Sequence, residues 1–499
     1  MGNLTKSGVT SSFVEWLNYR FTERKFNTLL GVGLIIIWGI VIAYIARQID
    51  QSLPAVLLFV ATGIVILIIC LKNPLSGLYF TSVFSVFFAL PGRFFHIQSP
   101  VGILVEVFTY VLLLAVLRMS ALKKENTTGF WNNPISVLLM IIMIYYIVEL
   151  ANPANYSKLG WLFFFRKQIS YLLFYFISYM VLSSYNKIKF FLKFWILLVL
   201  LIALYGIKQQ LLGLANFEKS WLQSSPVLMQ LYFQAGFLRK FSLLTDPAAF
   251  GIICAAFSLF TLILAIRIPE IKIKSMLYFS TFIFFMACAY SGTRTCNLMI
   301  VGGLVAYIVF TLNEKRTYLL IITSVTASIL LLFGLLENNP VIYRIKTTLN
   351  GSKEASASVR DNNRRTIQPY IHSHPMGGGL NTSGIEGQLY SPAHPLAGVP
   401  PDSGYLKILL EQGWIGFCIH LVFYFVLLKR GIDCYYKARN PYIKSIYIAL
   451  TICLFSVIVG QYSQIAISQY PLILFYFSSL AILIKLIDYD TPLPEKDTS

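Results

Sequence analysis

The sequence predicts an all-α integral membrane protein, a bundle of about 12 to 14 transmembrane helices with fourteen favoured. Of its 499 residues, 57% are hydrophobic and only 12% are charged, and the mean hydropathy is +0.69. A soluble chain would carry about a quarter charged residues. Apolar runs of about 17–25 residues recur along the chain, and each is long enough to cross the hydrocarbon core as a helix.

The candidate spans follow one another in order, most of them separated by short loops. They begin near Thr28, Pro54, Leu75, Val101, Pro134, Leu162, Phe190, Pro247, Ser275, Cys296, Thr317, Tyr405, Lys444 and Tyr470. The polar start of the chain predicts no cleavable signal. The expected order is a cytoplasmic N-terminus (1–27), helices 1–11 with an outer loop near 213–246 (28–336), a large extracytoplasmic loop (337–402), helices 12–14 (403–487) and a cytoplasmic tail (488–499).

The net charge of +19 is explained by topology rather than by nucleic acid. With the N-terminus inside, the inner loops hold more Lys and Arg than the outer ones, as in "NKIKFFLK" and "KRGIDCYYKARNPYIK". This is the positive-inside pattern, and it places both ends of the chain in the cytoplasm. The seven cysteines fall in spans or in an inner loop, which predicts apolar packing and no disulfide framework.

Three arginines are placed outside or near the outer ends of spans. Arg294 lies in the turn "YSGTRTC", Arg239 in "GFLRKFSLLTDPAAFG", and Arg166 just inside the sixth span. Charges at membrane depth are costly and mark functional sites, and a guanidinium binds phosphate oxygens through two parallel hydrogen bonds. Arg166 has two other interpretations, snorkelling to the interface or pairing with Glu149, and Arg239 has one, an ordinary loop charge.

The stretch "PPDSGYLKILLEQGWIG" carries charges into the start of the twelfth span. Asp402 fits either a helix N-cap or a general base that takes a hydroxyl proton. Lys407 and Glu411 are four residues apart, so they are expected to pair on one helix face. Asp246, directly before Pro247, is expected to cap the eighth span.

The large outer loop contains "HSHPMGGGLNTSG", and loops of this length are usually functional or disordered. Its glycines allow a left-handed turn and the close approach of a ligand. His372 and His374 have no carboxylate or cysteine nearby, so a metal site is not expected. The first outer loop, "RQIDQS", lacks the D-x-D or E-x-D pair that holds a metal in many membrane glycosyltransferases. The expected chemistry therefore needs no metal and no cofactor.

Five segments between about 201 and 427 carry a family resemblance: "LIALYGIKQQLLG", "LTDPAAFGI", "YSGTRTCNLMIVGG", "HPMGGGLNTSG" and "DSGYLKILLEQGWIGF". In this order, with the long loop before the last spans, the chain resembles the O-antigen ligase and O-antigen polymerase (Wzy-type) superfamily of bacterial envelope enzymes. The resemblance implies glycan transfer from undecaprenyl pyrophosphate on the outer face of the inner membrane.

The resemblance also implies roles for particular residues. Arg294 matches the family's Ser-x-Arg turn, Arg239 the arginine before the "DP" helix, and Arg364 or Arg360 the basic residue before the "HP" segment. These arginines would bind pyrophosphate. Arg166 lies outside the resembling region and is a further pyrophosphate-binding candidate because of its charge at membrane depth.

Ligases of the family generally carry His-Asn or His-Ser where this chain has Asp402-Ser403. That departure favours a polymerase in which Asp402, or else His374 or His372, is the base. Tyr405, Lys407 and Glu411 would then support the site.

The expected function is therefore an inverting, metal-independent polysaccharide polymerase. It would transfer a growing glycan from undecaprenyl pyrophosphate to the hydroxyl of a lipid-linked repeat unit. Its partners would be the lipid-linked oligosaccharide, the acceptor glycan and the bilayer, with a chain-length regulator and a flippase as candidates and no nucleic acid. Two alternatives stay open: a ligase that transfers finished glycan to lipid A core or protein, and a transporter of lipid-linked glycan.

Overall fold

The computed structural model describes residues 68–95, 102–123, 128–234, 236–323, 363, 365 and 367–490. The chain divides into two compact units, Met1–Lys72 and Asn73–Ser499. Residues 68–72 of the first unit are helical. Everything below concerns the second unit.

The second unit is built from helices. They are α1 (Pro74–Phe87), α2 (Leu90–Phe95), α3 (Ile103–Lys123), α4 (Thr128–Trp131), α5 (Pro134–Val148), α6 (Lys158–Val181), α7 (Tyr185–Leu211), α8 (Asn216–Gln223), α9 (Pro226–Tyr232), α10 (Pro247–Arg267), α11 (Ile271–Ser291), α12 (Arg294–Phe310), α13 (Gly384–Tyr390), α14 (Gly404–Lys437), α15 (Pro441–Gly460) and α16 (Leu472–Lys485). Short 3₁₀ turns follow α5 (Glu149–Ala151) and α16 (Leu486–Tyr489). Within the described residues, strands are limited to the antiparallel pair β1 (Phe233–Gln234) and β2 (Phe237–Leu238).

The predicted all-α membrane fold is confirmed. In the described part of the chain, nine helical segments are long and apolar enough to cross a membrane, and α12 is a shorter apolar helix. The predicted spans near Thr28 and Pro54 lie outside the described residues, and only 315–323 of the span near Thr317 is described as helical. The number of spans, and which side each loop faces, stay predictions.

Several helices begin at an Asn-Pro or Asp-Pro pair. The side chain of Asp246 accepts hydrogen bonds from the backbone N–H of Ala248 (2.8 Å) and Ala249 (2.9 Å), and Pro247 is the first helical residue. The cap satisfies two donors that the helix leaves free, and proline at the first position has no donor to lose. The predicted cap is therefore present. Asn73, Asn133 and Asn440 do the same for α1, α5 and α15.

The centre of the bundle is formed by α10, α15 and α16. In the apolar stretches of these three helices, 89%, 83% and 78% of the residues are buried, whereas the share is 33% in those of α1, α11 and α14. A helix that is apolar on all sides and enclosed on all sides is a core helix. The less enclosed helices form the outside of the bundle.

The segment between α7 and α10 is held by a buried arginine that sequence reasoning did not single out. Arg93 Nη1 donates to the carbonyl of Ser242 (2.9 Å), and Nη2 donates to that of Leu244. Its guanidinium also lies over the rings of Trp221 (4.9 Å) and Phe241 (4.5 Å). With its donors paired and its faces covered by aromatic rings, Arg93 fixes the segment that leads into Asp246.

Helix α14 is interrupted at Gly413, where φ is 64° and ψ is −163°. The carbonyls of Leu410 and Glu411 accept hydrogen bonds from the backbone N–H of Gly378 (2.7 Å) and Gly379 (3.0 Å) in the preceding loop. Non-helical backbone at membrane depth is tolerated only where protein satisfies its polar groups. Here the loop does so.

Glycine is required where the loop crosses the helix. A Cβ on Gly413 would lie 2.0 Å from the carbonyl oxygen of Pro375, and one on Gly377 would lie 2.5 Å from the backbone nitrogen of Gly413. Gly377 and Gly379 also have positive φ, at +78° and +93°. The predicted left-handed turn is therefore present, and the chain that approaches these glycines is the backbone of α14.

Candidate active site

A cavity of about 710 Å³ opens among α3, α5, α6, α14 and α16. Residues 381, 386 and 390 of the loop before α14 form another wall, and so do residues of the 461–470 segment between α15 and α16. Five helices, the loop before α14 and the connection between α15 and α16 therefore surround one cavity inside the bundle. Helix bundles commonly form binding sites in such places, from side chains of facing helices.

Two adjacent cations of α6, Arg166 and Lys167, line this cavity. Arg166 Nε lies 3.0 Å from Glu106 Oε2 on α3, so the alternative pairing with Glu149 is wrong. The pair also explains Glu106, a carboxylate in the first turn of α3 whose side chain is only 6% exposed. A buried carboxylate needs a partner of opposite charge, and Arg166 provides it.

Lys167 is a residue that sequence reasoning missed. It lines the cavity, and its ammonium has neither a salt bridge nor a hydrogen bond to any described residue. The signal that could have found it is the doublet "RK" inside the apolar run "WLFFFRKQISYLL", because two charges at membrane depth are unusual. Lys167 leaves one positive charge available to a ligand in the chamber.

Lys407 and Glu411 of α14 form the third charged group of the cavity wall. Lys407 Nζ lies 3.8 Å from Glu411 Oε1 and 3.9 Å from Glu386 Oε2, so the predicted pairing one helical turn apart is present. Glu411 is fully buried, and its Oε1 also accepts from the hydroxyl of Ser383 (2.6 Å). The carboxylate thus ties the loop to α14 and holds Lys407 at the cavity.

The rest of the lining is aromatic and amide-rich. Side-chain amides alternate with rings that have an apolar face and, in the tyrosines, a polar edge. These residues include Tyr146, Phe163, Gln168, Tyr171, Asn381, Gln412, Tyr424, Gln461, Gln469, Tyr470 and Tyr476. Aromatic faces pack on apolar groups, and amides donate to and accept from hydroxyl groups. Such a wall suits a molecule that has both an apolar part and many hydroxyls.

Arg239 and Arg294 both belong to a second place, the turn between α11 and α12. Arg239 donates to the carbonyl of Ser291 (3.2 Å) and to the hydroxyl of Thr293 (2.9 Å), and Arg294 is the first residue of α12. Neither arginine is part of the cavity lining.

The start of α12, directly after the turn, is hydrogen bonded to a segment that lines the cavity. The hydroxyls of Thr295 and Ser463 lie 2.8 Å apart, and Ser463 belongs to the 461–470 segment that forms a wall of the chamber.

Asp402 lies at the start of α14 without capping it. The cap is Ser403, whose hydroxyl accepts from the backbone N–H of Leu406 (3.0 Å), so the N-cap interpretation of Asp402 is wrong. Asp402 Oδ2 instead accepts from the side-chain amide of Asn363 (3.2 Å). Its carboxylate is outside the lining, whereas Gly404, two residues on, is part of it.

Tyr405 is bonded to a neighbouring helix. Its hydroxyl donates to the carbonyl of Ile458 on α15 (2.8 Å). It therefore links α14 to the core rather than facing the cavity lining.

The loop histidines lie apart from the cavity. His372 is exposed, 6.4 Å from the ring of Trp414, and His374 stacks on Tyr370 with ring centroids 4.0 Å apart. Arg364 and Arg360 lie outside the described residues. In the described part of the chain, no three His, Cys, Asp or Glu side chains come together as metal ligands would; the metal-independent mechanism stays a prediction.

His394 is the buried histidine of the same loop. Its Nδ1 accepts from the backbone N–H of Leu396 (3.1 Å), and its ring packs against Tyr156 at 4.8 Å. Burial lowers the pKa of His394 below its ordinary value of 6.5, and the nearby His374 lowers it further. A neutral His394 therefore helps to hold the loop against the bundle.

The family comparison covers the region in which loop and helix meet. Residues 279–421 match the O-antigen ligase family. The match confirms the resemblance to the O-antigen ligase and polymerase superfamily. It spans the Arg294 turn, the glycine segment, Lys407 and Glu411, and it ends within α14. No curated protein matches the chain.

The family match, together with the apolar helices, indicates a multi-pass membrane protein with O-antigen ligase- or polymerase-type activity. Such an enzyme acts on lipid-linked glycan and an acceptor in a membrane. Arg166, Lys167 and Arg239 lie before the matched residues, so their place in the site rests on the geometry of this chain.

Proposed function

We propose that the protein is a polysaccharide polymerase, an inverting membrane glycosyltransferase that needs no metal or cofactor. It transfers a growing glycan from undecaprenyl pyrophosphate to a hydroxyl of a lipid-linked repeat unit. The observation that carries the proposal is the cavity in which Arg166, Lys167 and Lys407 join an aromatic and amide-rich wall. Its cations suit pyrophosphate, its rings suit sugar faces and prenyl groups, and its amides suit hydroxyls.

The reaction exchanges one bond at the anomeric carbon for another. The acceptor oxygen loses its proton to a base and bonds to the anomeric carbon from the side opposite the phosphate. The bond between that carbon and the phosphate oxygen breaks, and its electron pair stays on the departing pyrophosphate. Negative charge grows there in the transition state, so fixed cations lower the barrier. Lys167 has the charge most available for this role, and Arg239 and Arg294 are proposed to bind the same leaving group.

Asp402 is the proposed base, with His374 and His372 as the other candidates. The capping hydroxyl of Ser403 leaves the Asp402 carboxylate free of the helix start, and Gly404 brings that start to the cavity. From this position, two residues before the lining residue Gly404, the carboxylate is proposed to take the acceptor proton as the new bond forms.

The proposed setting is the bacterial inner membrane, with the active site facing the periplasm. The positive-inside charge pattern supports this orientation. A chain-length regulator and a flippase are proposed partners, because a polymerase consumes repeat units that have already crossed the membrane.

Two alternatives are each favoured by one observation. The family description, O-antigen ligase, favours transfer of finished glycan to lipid A core or protein. The interruption of α14 at Gly413 favours a transporter, because transporters often bind substrate at broken helices.

The test is a deletion strain complemented with wild type, Lys167→Gln, Arg294→Ala or Asp402→Asn. Surface polysaccharide and lipid-linked intermediates are separated on gels, with protein levels matched by immunoblot. Loss of the long ladder, with single repeat units accumulating on the carrier or acceptor, supports a polymerase. Long polymer that accumulates on the carrier identifies a ligase, and normal ladders from all three variants would remove these residues from the chemistry and favour the transporter.

A further inference from the structure

A second groove, of about 480 Å³, lies at the opposite ends of α10 and α11 from the Arg294 turn. It is bounded by the end of α10, the start of α11 and helical residues 315–323. Its lining is mostly apolar, with Leu319 among the apolar side chains, and it includes the cations Lys274 and Arg316. Two cations therefore stand at an otherwise largely apolar groove.

Both cations have donors to offer. The ammonium of Lys274 makes no hydrogen bond or salt bridge with the described residues. Arg316 uses Nη1 on the carbonyls of Ile266 (3.2 Å) and Arg267 (3.1 Å), which aims its guanidinium across the end of α10. Its Nε and Nη2 have no hydrogen-bond partner in the described part of the chain.

The carboxylates nearest in sequence are engaged elsewhere. Glu314 accepts from Arg267 Nη2 (2.6 Å) and from the hydroxyl of Tyr435 (2.5 Å). Glu270, one helical turn before Lys274, accepts from the hydroxyl of Tyr442. Among the residues that the structure describes, no carboxylate is at contact distance from the two cations of the groove, which favours an anion from outside the chain.

We propose that this groove binds an anionic phospholipid, with its phosphate between Lys274 and Arg316. The acyl chains would lie along the apolar wall, where Leu319 is 66% exposed. A free phosphate would gain nothing from that wall, whereas a lipid uses both parts of the groove. Basic pockets between membrane helices bind anionic headgroups in this way, and the positive-inside pattern assigns this end to the cytoplasmic leaflet.

The test is native mass spectrometry of the purified full chain titrated with phosphatidylglycerol or phosphatidylcholine of identical acyl chains. Lys274→Gln with Arg316→Gln removes the two charges of the groove. Lys272→Gln with Lys315→Gln removes two exposed charges that lie within two positions of the groove cations in the sequence but do not line the groove. The groove variant should bind phosphatidylglycerol roughly 30-fold more weakly, with the control variant unchanged.

Three results would overturn the proposal: equal affinity of the wild type for the two lipids, equal loss in both double variants, or displacement of phosphatidylglycerol by micromolar inorganic phosphate. The comparisons of the two lipids and of phosphate use the wild type alone, so they decide the matter even if the groove variant does not fold. Glycan transfer is not part of the readout, so this proposal stands or falls separately from the proposed function.

Discussion

Gly413→Ala tests whether the loop before α14 is built into the helix. The new Cβ would lie 2.0 Å from the carbonyl oxygen of Pro375, in a backbone conformation that is essentially restricted to glycine. The strain costs about 1–3 kcal/mol. If the loop moves away, the hydrogen bonds to Leu410, Glu411 and Trp414 are lost as well, each worth about 1 kcal/mol. The expected loss is about 4–6 kcal/mol in the local stability of loop and helix.

The matched control is Gly213→Ala. Gly213 also has a positive φ, +82°, but its Cβ would meet no atom within 4 Å. It therefore carries the backbone penalty alone, about 1–2 kcal/mol.

Thermal unfolding in detergent and limited proteolysis of residues 367–403 are measured for both variants. Gly413→Ala should unfold at a lower temperature than Gly213→Ala and expose the loop to protease. Equal unfolding temperatures and equal protection of the loop would refute the argument.

Three further predictions concern the cavity and the loop. Lys167→Gln should raise KM for a pyrophosphate-linked donor about tenfold with little change in stability, since the Lys167 charge has no partner among the described residues. Lys158→Gln, which changes an exposed charge at the start of α6, is the control. An equal rise in KM for both variants would argue against an anion subsite at Lys167. Glu411→Leu should destabilise the fold by about 3 kcal/mol, because it removes the buried partner of Lys407 and leaves that cation with the more exposed Glu386. Ser383→Ala should cost about 1 kcal/mol, because it removes one hydrogen bond to Glu411. Melting curves that rank the two variants in the opposite order would be inconsistent with this network. The lowered pKa of His394 means that the folded loop binds fewer protons than the unfolded loop. The stabilisation present above pH 6.5 is therefore lost as the pH falls toward the lowered pKa. The protease resistance of the loop should decrease between these two pH values in the wild type and stay constant in His394→Gln.

Local patterns were enough to predict the contacts that form within one helix or one cap. The Asp246 cap depends on residues two and three positions away, and Lys407 and Glu411 are one turn apart. Both contacts follow from the fixed spacing of residues within one helix, which can be read from the sequence.

Contacts between distant segments were not predictable in the same way. Arg166 pairs with Glu106, sixty positions away, rather than with the nearer Glu149, because the packing of α6 against α3 decides which carboxylate it meets. Ser403 rather than Asp402 caps α14, although both residue types are good caps, because only one of them occupies the capping position.

The interruption of α14 could not be predicted from the sequence for a related reason. "LLEQGWIGF" has the composition of a continuous helix, and a single glycine is ordinary there. The backbone groups that Gly413 releases are bonded by a loop thirty or more positions earlier, which no local pattern reveals.

The first nine residues of α14 end at Gln412, and their last three carbonyls accept hydrogen bonds from residues outside α14. The loop donates to Leu410 and Glu411, and the hydroxyl of Tyr145 donates to the carbonyl of Gln412 (2.6 Å). This short piece is therefore joined to the loop and to α5 as firmly as to the rest of its own helix. If residues 375–379 move, they must either break their main-chain hydrogen bonds to α14 or move the start of α14, including Lys407, with them. Movement of the loop is therefore coupled to the charged wall of the cavity.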